Sequence, residues 1–131
     1  MDITYRRMYR LKIKGSFSSA HYLKNYQGAC ENLHGHNWVV EVEVKGKKLN
    51  SIGLLIDFKE LKKALKKVLS ELDHKLLNEL PFFKENNPSS ELIAYYIFKR
   101  LEEELSAFPE VKVSSVTVFE TEGASATYYE D

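Results

Sequence analysis

The segment HGHNWVVEVEV, residues 34–44, carries the clearest structural signal in this chain. From Trp38 to Val44 every second residue is apolar, and the glutamates Glu41 and Glu43 alternate with them. Successive side chains of a strand point to opposite faces, so the pattern indicates one face on a core and one polar face. The segment therefore predicts a half-buried β-strand that begins with a pair of histidines.

The residues before this segment predict a strand that can pair with it. Leu11 and Ile13 alternate with lysines, and the pattern runs toward Phe17 and His21. A loop rich in Asn, Gln and Gly follows, and it allows the two strands to form a hairpin. Two more strands are predicted near the C-terminus, over residues 111–120, with a change of phase near Ser114, and over residues 124–129.

Between the two strand pairs, the apolar residues recur with the period of a helix. Asp57 suits the N-cap of a first helix that ends near Asp73-His74. Pro81 and the run Asn86-Asn87-Pro88 mark a long loop, and Ser89 or Ser90 can cap a second helix. The predicted buried stripes are Phe58, Leu61, Leu65, Val68 and Leu72 in the first helix and Leu92, Ile93, Tyr96, Leu101 and Leu105 in the second.

The element order β-β-α-α-β-β predicts a single α+β domain over residues 1–131. The simplest packing is a four-stranded antiparallel sheet with both helices on one face. Such a small open sheet has edges that need to be covered, so we expect several copies to assemble through those edges. Neighbouring copies would also supply the pocket walls that one small subunit lacks.

Charge and composition argue against several classes of partner. The 131 residues include 19 Lys and Arg against 19 Asp and Glu, so no basic excess points to a nucleic acid. No apolar stretch is long enough to span a bilayer. The one cysteine, Cys30, cannot form an internal disulfide, which is typical of a reducing compartment. We therefore expect a cytoplasmic protein that binds neither nucleic acid nor membrane.

Three of the four histidines form a candidate metal site. His34 and His36 leave the same face of one strand, and hairpin pairing would bring His21 close to them. A structural zinc site usually closes its shell with thiolates, whereas three imidazoles leave a position open for water or substrate. The alternative is that His34 and His36 are a surface pair or hydrogen-bonded strand residues. Imidazole also suits copper, iron or nickel.

Cys30 and the pair Asp73-His74 are candidates for proton transfer. A dication close to Cys30 would favour its thiolate and make it a base at neutral pH. Asp73 could orient the imidazole of His74, which would exchange protons with Cys30 as in a catalytic triad. The alternatives are that Cys30 is a small buried apolar residue, and that His74 interacts only with the helix dipole.

Five motifs, in order, resemble those of a known enzyme family. They are FSSAH at 17–21, CENLHGHN at 30–37, GLLIDF at 53–58, LDHKLLN at 72–78 and ET at 120–121. From about Leu11 to Tyr129 the chain is similar to the 6-pyruvoyltetrahydropterin synthase / 6-carboxytetrahydropterin synthase family. The resemblance implies the tunnelling fold, in which subunits join their sheets into a barrel, usually as a homohexamer of two trimers.

The resemblance also implies roles for individual residues. Zinc would be held by His21, His34 and His36, and protons would be transferred by Cys30, Asp73 and His74 across a subunit interface. Glu120 would anchor the pterin, because a carboxylate can accept two parallel N–H donors from the pterin edge. Glu91 would help at the same edge, although Leu92 replaces the asparagine that the family often has there.

The implied substrate is 7,8-dihydroneopterin triphosphate, whose side-chain hydroxyls the zinc would acidify as a Lewis acid. The expected product is 6-carboxy-5,6,7,8-tetrahydropterin, formed with loss of triphosphate and acetaldehyde for queuosine-type 7-deazaguanine synthesis. In one branch of the family a glutamate at the place of Glu31 stands with or replaces the cysteine, and 6-hydroxymethyl-7,8-dihydropterin is released for folate synthesis. That product and 6-pyruvoyltetrahydropterin are the alternatives. A non-catalytic alternative is a zinc-stabilised oligomeric ligand-binding module.

Overall fold

The computed structural model describes residues 7–28 and 31–130. Within these residues the chain order is β1 (Tyr9–His21), β2 (His34–Gly46), α1 (Phe58–Ser70), β3 (Lys75–Leu76), a 3-10 helix (Leu77–Glu79), α2 (Pro81–Glu85), α3 (Ser90–Glu104), β4 (Lys112–Thr121) and β5 (Ala124–Tyr129). The strands form one sheet in the order β3-β1-β2-β4-β5. None of the helices in these ranges is both long and apolar enough to cross a membrane.

The four predicted strands pair as antiparallel neighbours. β1 and β2 form a hairpin whose register pairs Tyr9 with Gly46 at one end and His21 with His34 at the other. β2 also pairs with β4, and β4 pairs with β5. The predicted number of strands was wrong by one, because β3 pairs in parallel with Ser19 and Ala20 of β1. Two residues are too few to produce a periodic signal in the sequence.

Both long helices cover the same face of the sheet, as predicted. α1 contacts β1, and α3 contacts β4 and β5. The apolar side chains that alternate from Trp38 to Val44 in β2 are fully buried under these helices. Glu41 lies on the opposite face, where its carboxylate forms an ion pair with Lys12 at 3.2 Å. The α+β architecture predicted from the order of the elements is therefore confirmed, and so is the half-buried strand predicted from the alternation in β2.

Local capping signals determine where the helices begin. Asp57 accepts a hydrogen bond from the backbone N–H of Lys59, and Ser89 accepts one from Leu92. Phe58 was predicted to be buried, which is wrong, because this first residue of α1 is 50% exposed. The predicted loop after α1 contains β3, the 3-10 helix and α2. Pro81 begins α2, since a proline N–H is not needed in the first turn of a helix.

β4 has a bulge at Ser114 and a second register shift, against β5, between Phe119 and Thr121. The register between β2 and β4 shifts opposite Ser114, so Val113 and Val116 are both buried although they are three residues apart. The hydroxyl of Ser114 donates a hydrogen bond to the Glu43 carboxylate at 2.8 Å. The predicted change of phase near Ser114 is confirmed. Beyond this bulge Val116 and Val118 are fully buried, and the partly buried Glu120 lies at the second register shift.

Candidate metal centre

The hairpin of β1 and β2 brings three imidazoles together at one end of the sheet. His21 is paired with His34 in the register, and His36 is opposite Ser19. All three rings therefore leave the same face as Trp38. The ring centroids of His21 and His34 are 4.6 Å apart, those of His34 and His36 are 4.7 Å apart, and those of His21 and His36 are 5.4 Å apart.

Two backbone carbonyls determine which nitrogen of each ring faces the centre. His21 Nδ1 lies 2.7 Å from the carbonyl oxygen of Pro88, and His34 Nδ1 lies 2.8 Å from that of Asn32. A carbonyl oxygen only accepts hydrogen bonds, so each neutral ring carries its proton on Nδ1 and a lone pair on Nε2. The two Nε2 atoms are only 3.1 Å apart. Two lone pairs at this distance repel each other unless a cation binds between them.

The third imidazole has a buried nitrogen without a hydrogen bond. His36 Nε2 is shielded from solvent and has no hydrogen-bond partner in the part of the chain that the structure describes. Glu120 Oε1 is 2.9 Å from this atom, an ion-pair distance but without the geometry of a hydrogen bond. A buried polar atom left unpaired is costly, and a bound metal ion would satisfy it.

Glu120 completes a group of four potential ligands. Its Oε1 lies 3.7 Å from Nε2 of both His21 and His34, and the four ligand atoms lie within 4.8 Å of one another. Three imidazole nitrogens with at most one carboxylate oxygen form a set that zinc accepts with tetrahedral geometry. Carbonyls bonded to Nδ1 orient metal-binding imidazoles in the same way. The residues present therefore fit a zinc ion.

Trp38 forms the floor of this centre. Its ring is fully buried and makes edge-on contacts with His21 and His36, with centroids 4.9 and 5.2 Å away. The indole N–H donates to the carbonyl oxygen of Ser19 at 3.3 Å, which anchors the ring to β1. The alternation in β2 predicted Trp38 as a core residue but did not predict that it supports the metal site.

Burial lowers the pKa of His21 below its ordinary value of 6.5, although its hydrogen bond to Pro88 opposes the shift. Near pH 6.5, the imidazole of His21 takes up a proton in the unfolded chain more readily than in the folded metal-free protein. The unfolded state then binds more protons, so we expect the free energy of unfolding to decrease as the pH falls from 6.5 toward the lower folded-state pKa. The free energy of unfolding of chelator-treated protein, measured by denaturant titration above and below pH 6.5, tests this.

The control for this pH dependence is His21→Gln, which cannot titrate. We expect a smaller loss of stability in this variant over the same pH interval. Carboxylates such as Glu71, whose pKa is held below 4.5 chiefly by hydrogen bonds from Arg100, titrate at lower pH and do not interfere. A wild-type protein that becomes more stable on acidification through pH 6.5 would contradict the prediction.

Asp73 and His74 form a pair at the outer edge of β1. Asp73 Oδ1 accepts the N–H of Ser18 at 2.8 Å, and this bond is the main reason why the pKa of Asp73 is lowered. Its other oxygen lies 2.9 Å from His74 Nδ1. The backbone N–H of His74 donates to the carbonyl oxygen of Ser18 at 2.6 Å, and His74 has a φ of 57°. These contacts hold His74 in the left-handed region, which is unfavourable for most side chains.

The structure does not gather all the predicted site residues in one subunit. Asp73 and His74 contact each other as predicted, but they do not belong to the group of potential metal ligands. Cys30 lies outside the described residues. Glu31 follows it, with Oε1 3.3 Å from the backbone N of Leu23 and 3.8 Å from His34 Nδ1.

The two predicted pterin-binding glutamates lie in different surroundings. Glu120 was assigned to the pterin edge, but its Oε1 lies among the histidines. Its Oε2 accepts a hydrogen bond from the hydroxyl of Ser90 at 3.3 Å. Glu91 is exposed in the first turn of α3. Sequence reasoning did not predict that Glu120 lies within reach of the three imidazoles, because this depends on the pairing of β4 with β2, which are far apart in the sequence.

Comparisons with known proteins identify the family of this chain. The sequence profile of the 6-pyruvoyl tetrahydropterin synthase family matches residues 10–131. A 6-carboxy-5,6,7,8-tetrahydropterin synthase of Synechocystis sp. is 36% identical over 119 residues, which cover 87% of this chain and 88% of that protein. A dihydroneopterin monophosphate aldolase of Pyrococcus furiosus is 35% identical over 111 residues, which cover 85% of this chain and 89% of that protein.

A solved structure has the same fold over almost its whole length. The 6-pyruvoyl tetrahydropterin synthase of Caenorhabditis elegans superposes with a TM-score of 0.83 and 29% sequence identity, covering 95% of this chain and 97% of that one. The family profile covers far more than half of the chain, and its relatives are enzymes that act on pterins. The chain therefore belongs to the 6-pyruvoyl tetrahydropterin synthase family and is a lyase of the tetrahydropterin synthase type.

Proposed function

We propose that this protein is a zinc-dependent lyase that converts 7,8-dihydroneopterin triphosphate to 6-carboxy-5,6,7,8-tetrahydropterin. The observation that carries the proposal is the convergence of the Nε2 atoms of His21, His34 and His36. Two of these atoms are 3.1 Å apart, and the third is buried without a hydrogen bond among residues 7–28 and 31–130. The name of the Synechocystis relative supports the carboxy product. That product would serve the synthesis of queuosine-type 7-deazaguanines in the cytoplasm.

In this proposal zinc, when bound, supplies a Lewis acid for the substrate hydroxyls. The three histidines hold it, and the carbonyls of Pro88 and Asn32 keep the ring nitrogens aimed at it. The fully buried ring of Trp38 packs against His21 and His36 and excludes water from the core side of the centre. Glu120 either contributes a fourth ligand or turns to the pterin edge when substrate arrives, because its carboxylate is only partly buried.

His74 moves a proton through its free ring nitrogen. Its Nδ1 donates to Asp73, so Nε2 carries the lone pair and can accept a proton from substrate. The His74 side chain is 82% exposed, which leaves this nitrogen open to a ligand or to another subunit. Cys30 is the proposed base, with Glu31 as the alternative base.

We propose that the pair Asp73-His74 serves the metal centre of a neighbouring subunit. In one chain the pair is bonded to β1 at Ser18 and stands outside the four-residue ligand group. Assembly of the sheets into a barrel, as a hexamer built from two trimers, would bring an exposed His74 to another subunit's histidines. Each trimer of such a hexamer is a heterologous ring, in which different surfaces of neighbouring copies meet.

The product of the reaction tests the proposal. We expect purified protein with zinc and 7,8-dihydroneopterin triphosphate to release 6-carboxy-5,6,7,8-tetrahydropterin, identified by mass spectrometry. The same measurement distinguishes the 6-hydroxymethyl and 6-pyruvoyl products. The 6-hydroxymethyl product is the second candidate, because Glu31 offers a carboxylate base and a relative is named an aldolase. No turnover of any pterin would contradict the enzymatic proposal.

Separate Cys30→Ala and Glu31→Ala variants assign the base. If Cys30 removes the proton, its replacement lowers kcat by about 10²–10⁴-fold, the range that general bases contribute. Glu31→Ala is then expected to have a much smaller effect. Unchanged formation of the carboxy product by Cys30→Ala would exclude the thiol as the base and favour Glu31.

A further inference from the structure

The backbone continues past the metal ligand His21 through Tyr22–Lys24, which lie beyond the end of β1 and are bonded largely by side chains instead of a neighbouring strand. Asn78 Oδ1 accepts the N–H of Tyr22 at 3.0 Å, and its Nδ2 donates to the carbonyl of Tyr22 at 2.9 Å. Asn87 binds the same two backbone groups of Lys24, at 2.8 and 2.9 Å. Each asparagine amide therefore replaces one peptide group of a neighbouring strand.

The opposite edge of this segment is also bonded. The N–H of Leu23 donates to Glu31 Oε1 at 3.3 Å, and the N–H of Glu31 donates to the carbonyl of Leu23 at 2.9 Å. The partners alternate from one residue to the next, as they do for the backbone groups along a strand. The asparagines therefore hold Tyr22 and Lys24 on one side, and Glu31 holds Leu23 on the other. Three residues after His21 have all their backbone hydrogen-bonding groups paired.

Each asparagine connects this segment to another part of the site. Asn78 is 6% exposed and lies in the 3-10 helix directly after β3, which follows the pair Asp73-His74. Asn87 precedes Pro88, whose carbonyl oxygen orients the His21 ring. The next residue, Ser89, caps α3. Asn78 thus connects the backbone after His21 to the segment that follows Asp73-His74. Asn87 connects it to the loop whose Pro88 carbonyl orients the His21 ring.

We propose that Asn78 and Asn87 are positioning residues of the metal centre. They hold His21 and the segment Tyr22–Lys24 that follows it in register with the loop before α3. This inference rests on the proposed function for its catalytic consequence, but not for its effect on zinc binding or backbone protection. Asn78 belongs to the LDHKLLN motif, and these contacts give its side chain a role in the site.

The test uses Asn78→Ala and Asn87→Ala, with Asn86→Ala as the matched control. Asn86 is the neighbour of Asn87, and its side chain bonds only to the carbonyl of Phe82 among the described contacts. Amide hydrogen exchange of the metal-free protein is measured at Tyr22 and Lys24. We expect faster exchange at Tyr22 in the first variant and at Lys24 in the second, while the control exchanges like wild type.

Zinc affinity, measured by competition with a chelator, gives the second readout. Loss of a group that supports a metal ligand typically costs about 10–100-fold in affinity, and we expect this loss for both variants but not for Asn86→Ala. Asn78→Asp keeps the acceptor for the Tyr22 N–H but loses the donor to its carbonyl, so we expect an intermediate affinity. If Asn78→Ala does not fold, Asn87→Ala, whose side chain is less buried, carries the test.

Wild-type exchange at Tyr22 and Lys24, together with unchanged zinc affinity in both variants, would overturn the inference. A fall in thermal stability without a fall in zinc affinity would also overturn it, because it would show a purely structural role. Neither readout requires a pterin. The product assay on wild-type protein therefore decides the proposed function independently of this result.

Discussion

His21→Ala is expected to abolish zinc binding and to lower turnover of the pterin substrate by about 10³-fold. A metal Lewis acid contributes several kcal/mol of transition-state stabilisation, and each 1.36 kcal/mol corresponds to about a factor of ten in rate. His21 is 2% exposed, and its Nε2 lies within reach of the other three ligand atoms. No other histidine of the chain can replace it, because His74 is bonded to Asp73 at the edge of β1.

Metal content per chain, measured by elemental analysis beside kcat, checks this prediction. His21→Ala also leaves the Pro88 carbonyl without its partner, so some loss of stability is expected. His36→Gln is the second variant, because His36 Nε2 has no hydrogen bond to lose within the described residues. Full zinc occupancy in both variants would exclude this group as the metal site.

His74→Ala is expected to lower kcat by about 10²–10⁴-fold while zinc content stays at the wild-type level, since general acid–base groups contribute in that range. The side chain is 82% exposed, so its removal leaves no buried cavity. Asp73 remains bonded to the N–H of Ser18 and keeps the edge of β1 in place. Both variants should therefore lose turnover for different reasons: His21→Ala because it lacks the metal, and His74→Ala because it lacks the proton-transfer group although the metal is bound.

Steady-state kinetics and zinc analysis of Lys75→Ala provide the matched control for His74→Ala. Lys75 is the next residue and is also exposed, but it has no proposed catalytic role. His74→Asn keeps a residue type that tolerates a φ of 57° and separates the loss of the imidazole from a change of backbone. Wild-type kcat in His74→Ala would remove His74 from the mechanism.

Mixed oligomers locate the subunit that supplies His74. If each site combines metal ligands from one chain with His74 from another, refolding His21→Ala together with His74→Ala restores activity that neither variant has alone. If both come from one chain, no mixture regains activity, because every chain then lacks one essential group. The comparison also tests the proposed assembly without requiring a crystal of the oligomer.

Much of the fold was predictable because its signals are periodic. The alternation from Trp38 to Val44 and the helical spacing from Leu61 to Val68 each repeat over several residues, so packing follows them directly. The phase change at Ser114 was visible for the same reason. β3 and α2 were missed because two and five residues carry no period, and their positions depend on contacts with β1 and α3.

The candidate site was predictable only where residue type carries the chemistry. Imidazoles and the Asp-His pair have distinctive side chains, and the hairpin register brought His21 to His34 as expected. Asn78 and Asn87 were not predicted as supports, because asparagine in a loop is usually a turn former. The position of Glu120 depends on the long-range pairing of β2 with β4, so a local sequence pattern could not show that its carboxylate lies among the histidines.

Two supports of the metal centre would escape a substitution scan. Pro88 and Asn32 hold the imidazoles through main-chain oxygens, which every amino acid possesses, so Asn32→Ala leaves its oxygen available. The identity of these residues matters less than the path and length of the chain around them. Insertions or deletions beside these residues, instead of point substitutions, are therefore expected to change the orientation of the imidazoles and the affinity for a metal ion.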